Sequence, residues 1–571
     1  MSSAAKHLGY ELAGLLGRLA GPILDKELRV AARRRRYYVL RSAYVALLCI
    51  FVAFTWLIHV GVGSRGSAAF AASRMGEVGR AVTGTILWFQ FIGAQLLACA
   101  LLSGAIGDEV RARTLGVLLT THINSFQIVL GKLLSRLLQM LLLVAISLPL
   151  LSILRVFGGV HWSGIWAALV VTTTSVLFIG SLSLLVSCYQ PQGYRAVFVV
   201  LTICTVLFLA LPMGLLLAAH LEVLSDRTAE SLALLTNPFM AMAQVTEGLF
   251  VGGAAGVWVL AWFWHCLVML GGAGVFIGLS MRAVRRAAVT RSDTAGRKLS
   301  RRVLGLMDRM AGRPGRSHAD SAETALPIKG SPILWREMHT AFMRRPLGKL
   351  IVYSVMAVIL LFVIVLVVIQ RHVALVLCGV VSGVLSLLLV IRLAAQTGSC
   401  ITREKEGRTW PILLTTPMDD RQIIRDKALA AVGRNLPMLV FLFCLQVICG
   451  VMMAAEEPMM LMTFFALPWS LAGSIVFVTG MGVFFSVTLR SSVASVAVTV
   501  AVYLAASYSC CGCMGPMLGF MVAGPMMAAG GSPIGAVVMG VLMQGLPAVV
   551  WAAVGLLLAR LAVGRVRRNV F

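Results

Sequence analysis

The chain has 571 residues, 59% of them hydrophobic and 12% charged, with a mean hydropathy of +0.92. A soluble globular protein is about 25% charged, so water is the wrong solvent for most of this surface. The net charge of +27 would point to nucleic acid in a soluble chain, but the basic residues gather at the ends of apolar runs, where positive-inside bias and anionic headgroups account for them.

A membrane-crossing helix needs about 20 predominantly apolar residues. The first phrase in chain order, "GPILDKELRVAARRRR" (21–36), has proline in a first turn followed by mixed apolar and basic residues. It predicts a helix lying on the cytoplasmic face, or else an ordinary basic membrane anchor. Six apolar runs then predict spans at about 38–60, 83–106, 128–154, 165–187, 195–219 and 256–281. The polar, basic stretch 282–330 reads as a flexible cytoplasmic tether in which "VLGLMDRM" forms a short surface helix. "SPILWREMHTAFMRRP" (331–346) follows, and Pro332, Ile333, Leu334, Glu337, Arg344 and Arg345 repeat Pro22, Ile23, Leu24, Glu27, Arg34 and Arg35. Six more runs predict spans at about 350–370, 373–395, 428–453, 460–487, 494–522 and 534–559. Several are long for one crossing and call for tilts or kinks.

A second echo joins the two series. At a constant offset of 295, Glu109, Arg113 and Thr114 pair with Glu404, Arg408 and Thr409. Leu118, Leu119, Thr120 and Thr121 pair with Leu413, Leu414, Thr415 and Thr416, and Gln127, Ile128 and Lys132 with Gln422, Ile423 and Lys427. The agreement extends past the edges of any single phrase, which marks an internal repeat. The expected organisation is an all-α integral membrane protein of about twelve spans, as two parallel six-helix units over 1–281 and 331–571. Basic residues concentrate in the loops on the side of both termini, which places those termini in the cytoplasm of a cell-membrane protein.

All 22 Asp and Glu residues fall outside the twelve runs. Carriers driven by protons or sodium usually keep an ionisable group inside the membrane, so an ion-coupled carrier is disfavoured, although backbone carbonyls also bind sodium. Within the runs stand Gln90, Gln95, Gln139, His265, Gln446 and the "TTTS" stretch at 172–175, with Arg392 and Gln396 toward a cytoplasmic end. His265 and the glutamines are expected to bond neighbouring helices. There is no GxxxxGK[ST] phosphate loop, no HExxH and no nucleophile–base pairing. The twelve cysteines form no disulfide or zinc framework, and no secretory signal stands out.

"GDEVRARTLGVLLTTHINSFQIVLGKLLSRL" and "TREKEGRTWPILLTTPMDDRQIIRDKALAAV" resemble the stretch between the second and third spans of ATP-binding-cassette (ABC) permeases of the type-two exporter class. "SPILWREMHTAFMRR" resembles that family's connecting helix, and "NPFMAMAQVTEG" (237–248) a segment on its outer side. The resemblance covers essentially the whole chain as two fused permease units. It implies a transport subunit without its own ATPase site, worked by two cytoplasmic ABC ATPase subunits that hold the ATP and Mg. It also implies that Glu109, Arg113, Thr114, Thr120 and Thr121 in segment 107–127, and Glu404, Arg408, Thr409, Thr415 and Thr416 in segment 402–427, couple to those ATPases, with Glu27 and Glu337 from the connecting helices. The first copy departs at His122, where the second has Pro417. The competing local reading makes Glu109 and Arg113 a simple helix pair.

The stretch 507–527 concentrates Cys510, Cys511, Cys513 and Met514, soft ligands that would suit Cu(I) but also pack well between helices. The reading is therefore a permease with no cofactor of its own and an unidentified substrate. Its rival is a membrane scaffold that transmits ATPase closure to an extracytoplasmic partner; the short outer loops favour transport.

Overall fold

The computed structural model describes residues 68–112, 123–156, 161–190, 192–220, 222–251, 255–290, 331–338, 371–456, 461–508 and 533–566, with Thr114 and scattered positions between 23 and 53. Every regular element among them is helical. The first series comprises α1 (Ala68–Leu102), the short α2 (Gly107–Arg111), α3 (Ser125–Val156) and α4 (Trp162–Tyr189). It continues through α5 (Gly193–Thr205), a π-helical turn (Val206–Ala210), α6 (Leu211–His220), α7 (Asp226–Thr236), α8 (Pro238–Val251) and α9 (Ala255–Thr290). The second comprises α10 (Pro332–Met338), α11 (Arg371–Gly398), the short α12 (Thr402–Glu406) and α13 (Trp410–Leu414), then α14 (Asp420–Glu456), α15 (Leu461–Thr488), α16 (Ser492–Tyr508) and α17 (Pro533–Val563).

Eight of these helices contain stretches long and apolar enough to cross a bilayer: Val78–Val110, Ser125–Ser152, Trp162–Tyr189, Gly193–Ala210, Trp262–Arg286, Val381–Gly398, Asp420–Val447 and Trp469–Thr488. The chain is an all-helical, multi-pass membrane protein. Ser492–Ser507 and Pro547–Val563 are shorter apolar helices inside two further expected runs. Run 350–370 and most of 38–60 lie outside the described residues. Leu141, Leu142, Trp166, Phe263, Trp264, Phe443 and Trp469 point outward from the helices, as a lipid-facing surface requires. With 37 residues, α14 extends about 55 Å, more than the hydrocarbon core, and Pro437 breaks its hydrogen-bond ladder; Pro149 and Pro547 do the same in α3 and α17.

The expected tether does not begin at residue 282. Helix α9 continues to Thr290 because Ala283 and Val284 are buried and Arg285 Nε donates to Ser125 Oγ at 3.2 Å. Residues 291–330, including "VLGLMDRM", lie outside the described residues.

Polar groups inside the helices are mostly consumed locally. Thr172, Thr173, Thr174 and Ser175 each donate to a carbonyl of their own helix three or four residues back. The π turn leaves the Phe208 carbonyl to Asn237, whose Nδ2 donates to it at 2.9 Å while its Oδ1 accepts from Phe239 N. His265 Nδ1 meets the Leu235 carbonyl at 3.0 Å, an interhelical contact as expected. The glutamines divide: Gln90 accepts from Ser147 and Gln396 from Asn435 across helices, whereas Gln95 Nε2 and both polar atoms of Gln139 are buried with no hydrogen-bond partner among the described residues.

One apolar core joins the two series, from Ala94, Leu102 and Leu133 through Val197 and Val200 to Leu393, Val496 and Val500. Helix α5 packs on α11 and α16, and α16 packs on α1. Helices α15 and α17 cross most closely, at glycine: a Cβ added to Gly480 would collide with the Gly555 backbone, and one added to Gly473 with that of Ala548. Gly480→Ala is expected to destabilise the detergent-solubilised chain by about 1–3 kcal/mol. Gly271→Ala, which faces open space, should leave its unfolding temperature in place. Equal melting of the two variants would contradict this crossing.

Candidate functional site

Short helices α2 and α12 begin where a long helix ends, and both owe their start to a serine on another span. Ser187 Oγ accepts the backbone N–H groups of Ile106 (3.2 Å) and Gly107 (2.9 Å). Ser486 Oγ accepts those of Ile401 (2.8 Å) and Thr402 (3.0 Å). Each hydroxyl thus satisfies two of the orphan donors that open a helix. The ends match too. Thr114 N donates to the Glu109 carbonyl at 3.0 Å, and Thr409 N to that of Glu404 at 2.9 Å. With Arg408 N donating to the Lys405 carbonyl, the second copy forms a Schellman ending, and Arg408 takes the left-handed position (φ 55°) that glycine usually fills.

These turns bring carboxylates to a buried lysine. In the first copy, Lys132 Nζ lies 2.7 Å from Glu109 and 3.8 Å from Glu27, and Arg136 lies 3.5 Å from Glu27. Lys427 Nζ likewise stands 3.3 Å from Glu404 and 3.8 Å from Glu337, and donates to the Cys400 carbonyl at 3.1 Å. Arg336 reaches Glu404 at 2.7 Å, while Arg403 (3.5 Å) and Arg434 (3.3 Å) reach Glu337. Thr409 donates its hydroxyl to Glu404. Burial opposes the charged form of Glu404, but Lys427, Thr409 and Arg336 outweigh it and hold the carboxyl down at about 2.

The second segment is also bolted to the α15–α16 junction. Lys405 Nζ donates to the Val487 carbonyl at the end of α15, and Glu406 accepts from Ser492 N (2.8 Å) and Oγ (2.9 Å) at the start of α16. Each charge complements the helix end it meets. Trp410 is fully buried among Ile333, Ile401, Ile423 and Val487, so α13 turns Ile412, 68% exposed, outward beside exposed Arg408 and Thr415. Thr415 and Thr416 hydroxyls donate to the Ile412 and Leu413 carbonyls, closing that helix.

The structure therefore brings Glu27 and Glu109 together through Lys132, and Glu337, Glu404 and Thr409 through Lys427. It leaves Arg408 and Thr415 on the surface. Arg113, Thr120 and Thr121 lie outside the described residues, as do Cys510, Cys511, Cys513 and Met514. The sequence reading did not assign a role to Lys132, Lys427, Ser187, Ser486, Arg403 or Arg434. The lysines carried a signal in their repeat offset; the serines carried none that separates them from other small polar residues in spans.

Residues 22–287 match the family model described as ABC-2 family transporter protein. Over that stretch the chain is similar to ABC-2 type permeases. A permease of this family is a transmembrane component that works with an ATPase it does not itself contain. No curated protein matches the chain.

Lys427→Met would remove the most buried cation between Glu404 and Glu337 and leave the Cys400 carbonyl without its donor, an expected loss of roughly 1–3 kcal/mol in unfolding measurements, since Arg336, Arg403 and Arg434 still meet the carboxylates. Arg29→Ala, which removes an exposed partner of Asp25, should cost less than about 1 kcal/mol. Because the Glu404 carboxyl is depressed, its contribution is complete above its ordinary value of 4.5 and is lost as pH falls toward about 2. Unfolding between pH 6 and 8 should therefore be insensitive to this group, and Glu404→Gln should weaken the chain equally at both.

Proposed function

We propose that the whole chain, beyond the matched stretch, is two permease units of six spans each, driven by two separate cytoplasmic ATPase subunits that bind ATP and Mg. In this reading segments 107–127 and 402–427 are the coupling elements, 21–36 and 331–346 the connecting helices, and both termini and the 282–330 stretch face the cytoplasm. The substrate is moved across or out of the membrane along the interface between the units.

One observation carries the reading: a serine-started short helix, closed by a bond from the Thr114 or Thr409 N–H to the Glu109 or Glu404 carbonyl and with that carboxylate on a buried lysine, occurs at both segments, 295 residues apart. Such a unit moves as a block, since its start is tied to one span, its carboxylate to another and its connecting helix to the same lysine. The reciprocal packing of α5 on α11 and α16 on α1 fits two like units meeting about a pseudo-two-fold axis. Arg408, Ile412 and Thr415, held outward by buried Trp410, offer a small apolar spot rimmed by a cation, suited to a cleft on an ATPase.

The test is affinity purification of the tagged chain from its native membranes, followed by ATP hydrolysis of the bound fraction. Wild type should retain an ATPase. Arg408→Glu with Ile412→Asp should reduce the retained activity about tenfold or more while membrane insertion and thermal unfolding stay unchanged. Retention equal to wild type would remove these residues from the coupling surface, and an absence of ATPase from the wild-type fraction would remove the reading itself.

A further inference from the structure

A cavity of about 450 Å³ opens between α5, α11, α12 and α14, walled by Tyr194, Phe198 and Gln396. Its cations are Arg195, Arg392, Arg403, Lys427 and Arg434; its only lining carboxylate is Glu337. Three of the cations are already engaged by Glu337. The other two meet no carboxylate among the described residues. Arg195 rests on Tyr194, its Nε donating to the phenol oxygen at 3.2 Å, and Arg392 sits within a span, six residues before the end of α11. An arginine inside a membrane span carries a large desolvation cost unless something anionic or aqueous meets it, and such residues mark ligand paths.

We propose that this cavity binds a phosphate-bearing anion, with Arg195 and Arg392 supplying the free guanidinium forks. Arginine's planar donor pairs match phosphate oxygens two at a time, which lysine cannot do. The volume lies in the range of pockets that hold a small organic ligand, so it accommodates the phosphate together with the group that carries it. Tyr194 and Phe198 supply the apolar wall for that group. Gln396 keeps its amide nitrogen as a further donor, because its oxygen already accepts from Asn435 Nδ2 at 3.0 Å. Tyr194 also ties the two series together here: its hydroxyl accepts from Arg403 at 3.3 Å and donates to Gln192 at 3.0 Å. An anion seated between Arg195 on α5 and Arg392 on α11 therefore bridges both series. The inference stands whether or not an ATPase drives the chain.

Two sources share this chemistry, a lipid headgroup and a soluble phosphate compound, and two arms separate them. In the first, the full chain in uncharged detergent is titrated with inorganic pyrophosphate against sodium chloride of equal ionic strength, and thermal unfolding is read. In the second, the chain is placed in mixed phosphatidylcholine–phosphatidylglycerol nanodiscs, and retained lipid is identified by native mass spectrometry. Arg392→Gln is expected to weaken the responding arm about tenfold. Arg195→Gln, exposed at the start of α5, should do the same and serves if Arg392→Gln does not fold. Arg421→Gln, exposed on α14 and away from the cavity, is the control for bulk charge. A response to pyrophosphate alone assigns a soluble ligand, and preferential phosphatidylglycerol retention alone assigns a headgroup. The inference is overturned if wild type prefers neither probe, or if the arginine variants that fold bind both as wild type does.

Discussion

A lysine with almost no solvent contact has to find anions, and in this protein Lys427 determines what may pack around it. Its side chain is 1% exposed and lies between Glu404, from a short helix after one span, and Glu337, from a helix before another. Taking one charge out of water costs several kcal/mol, and the cost is offset only where partners and hydrogen bonds converge with good geometry. Helices α10, α12 and α14 must therefore meet at one point. Glu404 in turn holds Arg336 and Thr409, so the backbone turn that follows α12 is set by the same charge. Apolar burial keeps these helices together, but it is non-directional and would tolerate many registers. The ion cluster selects one.

That selection has a mechanical consequence. A segment that is to transmit a push must be stiff within itself and anchored to the element it moves. Segment 402–416 is anchored at its start by Ser486, along its length by Lys405 and Glu406 to the α15–α16 junction, and at its end by buried Trp410. Arg408 adds a residue held at a positive φ, a conformation that persists only when its surroundings over-determine it. The same residue projects from the surface. In the proposed coupling role, such an exposed cation on a stiff mount would register a partner's movement with little loss in the loop itself.

Much of this architecture was legible in the residues. Eight of the twelve apolar runs coincide with candidate spans among the described residues, because a bilayer demands about 20 apolar residues whatever the fold. The repeat offset brought Glu109 and Glu404, and Lys132 and Lys427, into equivalent places before any geometry was known. The partners were not legible. Arg113, four residues on, lies outside the described residues, and among those described Glu109 pairs with Lys132, on the next helix. Helix ends that turn back on themselves make contacts no linear spacing reveals. The continuation of α9 past residue 282 was missed because basic, alanine-rich sequence reads as tether when the buried strip of Ala283 and Val284 is only two residues wide. The glutamines were assigned interhelical partners on a general expectation that Gln90 and Gln396 meet, while Gln139 has no hydrogen-bond partner among the described residues.

The two copies are alike in frame and unlike in charge. Around Lys132, Glu27 and Glu109 face Lys132 and Arg136 among the described residues. Around Lys427 two carboxylates face Arg336, Arg403, Lys427 and Arg434, an excess of two positive charges before Arg392 and Arg195 are added. The residues 295 positions before Arg392, Arg403 and Arg434 are Leu97, Asp108 and Gln139. Arg403 and Arg434 both reach Glu337, whereas Arg392 and Arg195 meet no carboxylate among the described residues. The positive charge lines a cavity between α11 and α14 that α5 of the other series completes.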